Sequence, residues 1–258
     1  LTFPRAAAAW RLGVPLVLHE ANAVLGLANK ASLPFAKVLA LGLPPGSGRA
    51  LGPRSVFTGT PIRRELWGPS PGGSAAARAV FGLSPQEPVV LVLGGSQGAR
   101  SLNRVLPPML AEACGRGPRF QVLHLAGPKE ASEVESLYAA FGAPKAAVRG
   151  YLDDMRAAYA ASDLALCRAG AATLAELAAQ ALPALLVPFP AASNDHQAAN
   201  AAFLERAGAA RMLREPLSRP EVLQALSAIL APASLSAMRR AYGEAGFPPP
   251  AETEKKLA

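Results

Sequence analysis

Short apolar runs recur along this chain, each closed by a glycine or a polar tip and followed by a stretch with helical spacing. The run VVLVL at 89–93 is continuous rather than alternating, the pattern of a parallel strand buried on both faces. FQVLHLAG in the 119–127 region, AAVRGYL at 146–152, DLALC at 163–167 and PALLVP at 183–188 continue the series. Between them the spacing predicts helices over 75–81, from near Arg100, and over 132–141, 155–160, 173–179 and 196–207. The tail at 221–241 reads as helical, and 251–258 as a last amphipathic segment. Strand, helix and strand at this spacing predict an α/β fold with a doubly wound parallel sheet.

The first part of the chain has the same rhythm in a looser form. A helix over 6–12 ends at Gly13, VPLVLHE at 14–20 reads as a buried strand, and a turn leads to a helix from near Asn22. A further strand is expected over 37–43, a Pro/Gly loop over 44–53, and a strand from Ser55 that turns at Thr58–Pro61. GPSPGGSAAA has linker composition and puts a domain boundary between about Gly59 and Ser74.

Polar residues gather at the carboxyl ends of the strands, where open α/β sheets bind ligands. The stretch from Asp163 to Asn200 sets two such junctions side by side. Gly94-Gly95-Ser96-Gln97-Gly98-Ala99 is a glycine-rich turn into a helix, suited to an anion through close backbone approach and free N–H groups. It equally suits a tight structural turn, and it fits neither the dinucleotide fingerprint nor the Walker pattern. Arg168 to Thr173 is a second turn of this kind. Glu176 reads either as the partner of Thr173 in a capping box or as a carboxylate for a ribose diol. Asn194 and Asp195 read as helix caps, while His196, Gln197 and Asn200 share a face beyond them. His19, Glu20 and Asn22 crowd another strand end. Three anion-friendly helix starts, without Cys/His metal spacing, point to a metal-free site for a nucleotide or nucleotide-sugar diphosphate.

Charge and composition narrow this picture only a little. The chain has 258 residues, 51% of them hydrophobic, and a net charge of +8. No block of five like charges and no Arg–aromatic interleaving is present, so a nucleic-acid groove is not indicated. The charge fits a solvated basic surface or affinity for anionic lipid head groups. Cys114 and Cys167 are too few for a disulfide framework, and Cys167 reads as a small hydrophobe. No apolar run reaches the ~18–20 residues that cross a bilayer, and no leader is visible, which points to the cytosol. The chain opens with Leu1 in the middle of a pattern, so the start of a domain is expected upstream.

HEANAVLGLANK (19–30), TGTPIR (58–63), LGGSQGARSLN (93–103), GYLDDMRAAYAASDLALCRAGAATLAELAAQALPALLVPFP (150–190) and NDHQAANA (194–201) together resemble, in order, the MurG family. The family comprises UDP-N-acetylglucosamine–N-acetylmuramyl-(pentapeptide) pyrophosphoryl-undecaprenol N-acetylglucosamine transferases. The resemblance implies the GT-B architecture of two Rossmann-like doubly wound domains, the first one incomplete here. Residues 1–62 would be what remains of an acceptor-binding domain, and 63–240 a UDP-sugar-binding domain. Residues 241–258 would form a tail returning to the first domain.

The implied activity is inverting transfer of GlcNAc from UDP-GlcNAc to the C4 hydroxyl of the MurNAc of lipid I, giving lipid II. It needs neither cofactor nor metal and runs at the cytoplasmic face of the bacterial membrane. Implied partners are UDP-GlcNAc, the undecaprenyl-linked acceptor and an anionic membrane surface, with no nucleic acid. By motif, Arg63 and Ser96 would meet the diphosphate and sugar region, and Leu152 the uracil through its backbone. Ala171, Ala172, Thr173, Leu174, Ala175 and Glu176 would form the nucleotide turn, with Glu176 on the ribose. Gln197, beside His196, would reach the GlcNAc hydroxyls, and Asn22 would face the sugar across the cleft.

The chain departs from the family at Ala21, where HEQN has Gln, and at Thr60, where TGNPVR has Asn. The family's N-terminal GGTGGH loop is absent, and with it the residue usually proposed as general base. His19 and Glu20 are left as candidates for that role, and this polypeptide alone is expected to bind donor without transferring it. Another GT-B lipid glycosyltransferase, such as a diacylglycerol galactosyltransferase, and a donor-binding subunit of a split transferase are the competing readings. LPFAKVL at 33–39 reads as helix and core strand rather than a membrane patch.

Overall fold

A computed structural model describes residues 2–43, 54–94, 99–142, 144–192 and 195–257. A small parallel sheet comes first. Helix α1 (Thr2–Arg11) ends before Gly13, whose φ of 68° is the left-handed conformation that closes helices. Strands β1 (Val17–Glu20), β2 (Val38–Leu41) and β3 (Ser55–Phe57) lie side by side in that order, all parallel. Leu18, Ala36, Leu39 and Leu41 form their core.

Helix α2 covers Leu27–Ser32 instead of starting near Asn22. The delay has a local cause: the Glu20 carboxylate draws the N–H groups of Asn22 and Gly26 onto itself, at 3.0 and 2.8 Å. Residues 21–26 therefore wrap around an acid instead of entering a helix.

The larger sheet is built from β4 (Val89–Leu93), β5 (Gln121–Leu125), β6 (Ala146–Arg149), β7 (Leu164–Cys167), β8 (Ala184–Leu186) and β9 (Ala210–Met212). All are parallel, in the order β6-β5-β4-β7-β8-β9. Strand β4 is buried along its whole length, as its unbroken apolar run implies, and its side chains alternate between two layers. Val89, Leu91 and Leu93 pack with α3 (Gly73–Val80), α6 (Met155–Ala161), α7 (Ala171–Ala179) and α8 (His196–Arg206). Val90 and Val92 pack with α4 (Arg100–Arg116), α5 (Ala131–Ala140) and α9 (Arg219–Ile229). The result is a three-layer α/β sandwich with helices on both faces.

Two features add to the expected pattern. Strand β9 was not foreseen, because three residues with half-buried Arg211 and Met212 carry no apolar signature. The tail is helical but bent: α9 stops, and α10 (Pro232–Glu244) leaves at 84°. Pro232 at its first position disfavours helical backbone at Ala231, which sits at φ −62°, ψ 132°. Among the described residues no single helix is long and apolar enough to cross a membrane.

Helix α11 (Pro250–Leu257) brings the end of the chain back to the first sheet. Gly59, at φ 80°, admits this approach. A Cβ there would lie 2.6 Å from Thr253 Oγ1 and 2.8 Å from Pro248 Cγ.

Candidate functional site

The chain leaves β4 in one direction to build β5 and β6, then returns to lay β7 on the other side of β4. That reversal opens a crevice beyond the carboxyl ends of the strands, the place where doubly wound sheets take ligands. A cavity of about 430 Å³ occupies it. Its floor is Leu93, Leu125 and Gly127 from the exits of β4 and β5, and Gly150, Tyr151 and Leu152 follow β6. Met155 and Tyr159 of α6, and Ala172, Thr173 and Glu176 of α7, supply the wall, while Arg63 reaches in from the linker. The exits of β5 and β6 are pressed together, since a Cβ on Gly150 would stand 3.0 Å from Pro128 Cα.

Glu176 is the carboxylate of this cavity. Helix α7 begins at Ala171 with Gly170 as its N-cap and no side-chain cap, so the Thr173–Glu176 capping box does not form. Glu176 instead sits a turn deeper, and its Oε2 accepts from the Tyr159 hydroxyl at 2.5 Å. Burial, and then Glu176 itself, hold Tyr159 well above the usual phenol range, so the phenol keeps its proton and points the carboxylate. Beneath them Cys167 is fully buried, and burial together with Glu176 pushes its thiol up to about 12. It is a small apolar residue, as its place at a strand end suggests.

The turns around the cavity are pinned from behind. Gln197 Oε1 accepts from the N–H groups of Ala169 and Phe189 at 3.2 and 2.9 Å, locking the β7 and β8 exits together. Asn200, fully buried, donates from Nδ2 to Ala169 O and to Asn22 Oδ1, both at 3.0 Å. Its Oδ1 takes the Ala23 N–H at 2.8 Å. Arg168 forms a second pin. Its Nη1 donates to Val187 O, Pro188 O and Glu215 Oε2, its Nη2 donates to Ser101 Oγ at 2.7 Å, and its guanidinium lies over the Phe189 ring. The first turn of α4 is thereby fixed to the entrance of α7.

Of the expected site residues, Arg63, Leu152, Ala172, Thr173 and Glu176 meet around one cavity. Ala171 opens α7. Leu174 is buried in the core, and Ala175 lines a separate cavity with Thr60 and Ile62, so neither side chain faces the site. Ser96, Gly95, Gln97, Gly98 and Asn194 lie outside the described residues. Asp195 occupies the cap position of α8 in the left-handed region, φ 51°, but its side chain makes no cap bond. His196 begins that helix, beside Gln197.

In the first sheet the geometry changes the roles of the polar trio. The Glu20 carboxylate accepts four hydrogen bonds, from the backbone and side chain of Asn22, from Gly26 N and from Asn29 Nδ2. Burial alone would raise its pKa, but these bonds outweigh it and hold it below the usual carboxylate range. A carboxylate so occupied is a weak proton acceptor, which argues against Glu20 as general base. His19 Nε2 faces Gly59 O at 3.1 Å, so that nitrogen carries the proton and links β1 to the end of β3. Asn22 is committed on both sides, to Glu20 and to Asn200.

Sequence reasoning missed Tyr159 and gave Arg168 and Asn200 no task of their own. The available signals were a lone aromatic in an alanine-rich helix and a charge placed directly after a buried strand.

A six-stranded Rossmann-type sheet with its cavity at the reversal point, joined to a second parallel sheet by a linker and a returning tail, defines a glycosyltransferase of the GT-B class. Residues 89–249 match the glycosyltransferase family 28 C-terminal domain. A relative from Acidithiobacillus ferrooxidans is 43% identical over 254 residues, covering 95% of this chain and 67% of its own length. One from Burkholderia lata is 44% identical over 218 residues, covering 83% and 56%. Both carry the name UDP-N-acetylglucosamine–N-acetylmuramyl-(pentapeptide) pyrophosphoryl-undecaprenol N-acetylglucosamine transferase. The crystal structure of Acinetobacter baumannii MurG superposes with a TM-score of 0.79 at 29% identity, over 99% of this chain and 69% of that one. The chain belongs to the MurG family of glycosyltransferases, and it spans 56% to 67% of the length of these curated relatives.

Proposed function

We propose that this chain carries the donor half of the GlcNAc transfer named in its relatives, binding UDP-GlcNAc in the cavity at the exits of β4, β5 and β6. The observation that carries this reading is Glu176. It is a carboxylate on the wall of a 430 Å³ cavity, oriented by Tyr159 and with acceptor capacity beyond that bond. A ribose diol needs such a pair of acceptors. Leu152 presents backbone to the uracil, and Arg63, with Ser96, meets the diphosphate. The starts of α4 and α7 add positive dipole ends toward the leaving UDP. Gln197 keeps its oxygen on Ala169 and Phe189, so its amide nitrogen is the part offered to the sugar hydroxyls.

The acceptor in this reading is lipid I, its MurNAc C4 hydroxyl displacing UDP with inversion to give lipid II. Titration calorimetry with UDP-GlcNAc, UDP and ADP tests the donor half. UDP-GlcNAc and UDP should bind and ADP should not; equal affinity for ADP would refute a uracil-reading cavity.

A lipid-linked acceptor calls for work at the cytoplasmic face of the cell membrane, as a peripheral protein. Phe35 packs edge-on with Phe3 at 6.0 Å and beside Trp10 at 5.7 Å, and Trp10 is 65% exposed. Lys37 and Arg54 line the same depression. Aromatic rings with basic neighbours suit an anionic lipid interface. The 33–39 segment thus divides: Ala36 and Leu39 are core, as expected, whereas Phe35 joins the surface aromatics.

A further inference from the structure

A chain of polar side chains runs through the core behind the cavity and takes no part in the donor contacts above. Asn103, one turn into α4, donates from Nδ2 to Ala126 O at 2.7 Å and to Glu130 Oε2 at 2.6 Å. Both partners only accept, so the orientation of the amide is fixed and its Oδ1 is the acceptor. His124 Nε2 lies 3.0 Å from that Oδ1 and therefore carries the ring proton; Nδ1, 3.0 Å from Tyr138 Oη, accepts from the phenol. Glu130 closes the chain at the surface by accepting from Arg100 Nε at 2.7 Å.

His124 is fully buried. Burial pushes its imidazole down to about 3, so it stays neutral and keeps this tautomer across the physiological range. Each atom of the chain has its partner, an arrangement that holds a core in one geometry.

The place it holds is the cavity floor. Ala126, bonded by Asn103, lies between Leu125 and Gly127, which both line the cavity. The turn that follows presses on Gly150, two residues before Leu152. We propose that His124 is a positioning residue for donor binding, acting through Asn103 to fix the β5 exit and the first turn of α4. This rests on the donor reading above.

The test compares UDP affinity and unfolding midpoint in His124→Leu, Tyr138→Phe and His124→Gln. H124L should bind UDP about tenfold more weakly, the equivalent of one hydrogen bond's worth of alignment. Y138F, which cuts only the far end of the chain, should unfold earlier but bind UDP as the parent does. H124Q, whose amide can donate to Asn103, should recover most of the affinity. The double variant H124L/Y138F removes donor and partner together and serves the same comparison if H124L alone does not fold. Parent-like UDP binding by H124L, or equal weakening by Y138F, would overturn the positioning role. A parent chain that binds no UDP would overturn the donor reading itself, and this proposal with it.

Discussion

Asn200 Nδ2 donates to Asn22 Oδ1 at 3.0 Å, joining residues 178 positions apart. The same nitrogen holds Ala169 O and the same side chain's oxygen holds Ala23 N–H, so one buried amide links the first sheet's loop to the entrance of α7. Asn200→Leu keeps the volume but leaves three polar groups without their partner. Stability should fall by about 2–3 kcal/mol, since unpaired buried groups cost about 1–3 each and some relax toward solvent. Urea denaturation measures this, and hydrogen exchange at the Ala23 amide should quicken in parallel. An unchanged exchange rate would show that the clasp does not hold in solution.

The Glu176 carboxylate receives the Tyr159 hydroxyl at 2.5 Å and plays no part in capping α7. Glu176→Ala should therefore weaken UDP binding by more than ~1 kcal/mol, a typical value for a hydrogen bond to a charged group, with little change in helix stability. Tyr159→Phe leaves the carboxylate in place but unguided, so its effect on UDP affinity should be smaller. Calorimetric titration of the two variants decides it. If E176A binds UDP as the parent does, the ribose role is wrong.

Arg168 and Glu215 form an ion pair at 2.8 Å with both side chains largely buried. Arg168→Met removes the cation and strands the acid, a change that costs about 3–5 kcal/mol in buried pairs. Arg168→Lys keeps the charge but cannot span Ser101, Val187, Pro188 and Glu215 with one ammonium, so it should recover only part of the loss. Thermal unfolding of both variants checks the order parent, lysine, methionine; a lysine variant as stable as the parent would mean the fork geometry does not matter.

The larger sheet was legible because its signal is local. VVLVL, LALC and ALL are apolar whichever way they are read, and the burial of β4 on both faces follows from that alone. Strand and helix alternation gave the parallel sheet and its polar carboxyl edge, whereas the strand order that sets the reversal point and the cavity came only with the structure. What the sequence concealed depends on contacts between distant positions. Glu20 looks like a candidate base until Asn22, Gly26 and Asn29 are seen around it. Thr173 and Glu176 fit a capping box by spacing, yet the helix starts two residues before Thr173, at Ala171. Leu174 and Ala175 fall within the stretch expected to form the nucleotide turn, but the helix turns their side chains elsewhere.

Trp10 is 65% exposed and packs on Phe35 beside Lys37 and Arg54. Trp10→Ala should reduce cosedimentation with vesicles rich in anionic phospholipid several-fold, because an interfacial Trp and its basic neighbours act together. UDP affinity, determined some distance away in sequence and on the other sheet, should not change. Equal binding of parent and W10A to anionic and neutral vesicles would remove this surface as a lipid contact.

Glu20 gives a pH signature whose sign is fixed by its surroundings. Its folded pKa lies below the ordinary 4.5, because four hydrogen bonds to the charged form outweigh burial. A carboxylate with a depressed folded pKa contributes stability that is fully present above its unfolded value and is lost as pH falls through the folded value. Glu20→Gln does not titrate, and its amide would turn a donor toward other donors. At neutral pH the variant should be less stable by about 1.5–3 kcal/mol, the range for a hydrogen bond to a charged group. The gap between parent and E20Q, followed by urea denaturation, should be constant above about pH 5 and should close as the pH drops below 4.5 toward the folded pKa. A gap that instead closes as pH rises toward neutrality would mean Glu20 holds a proton in the folded state, and the general-base role would return to it.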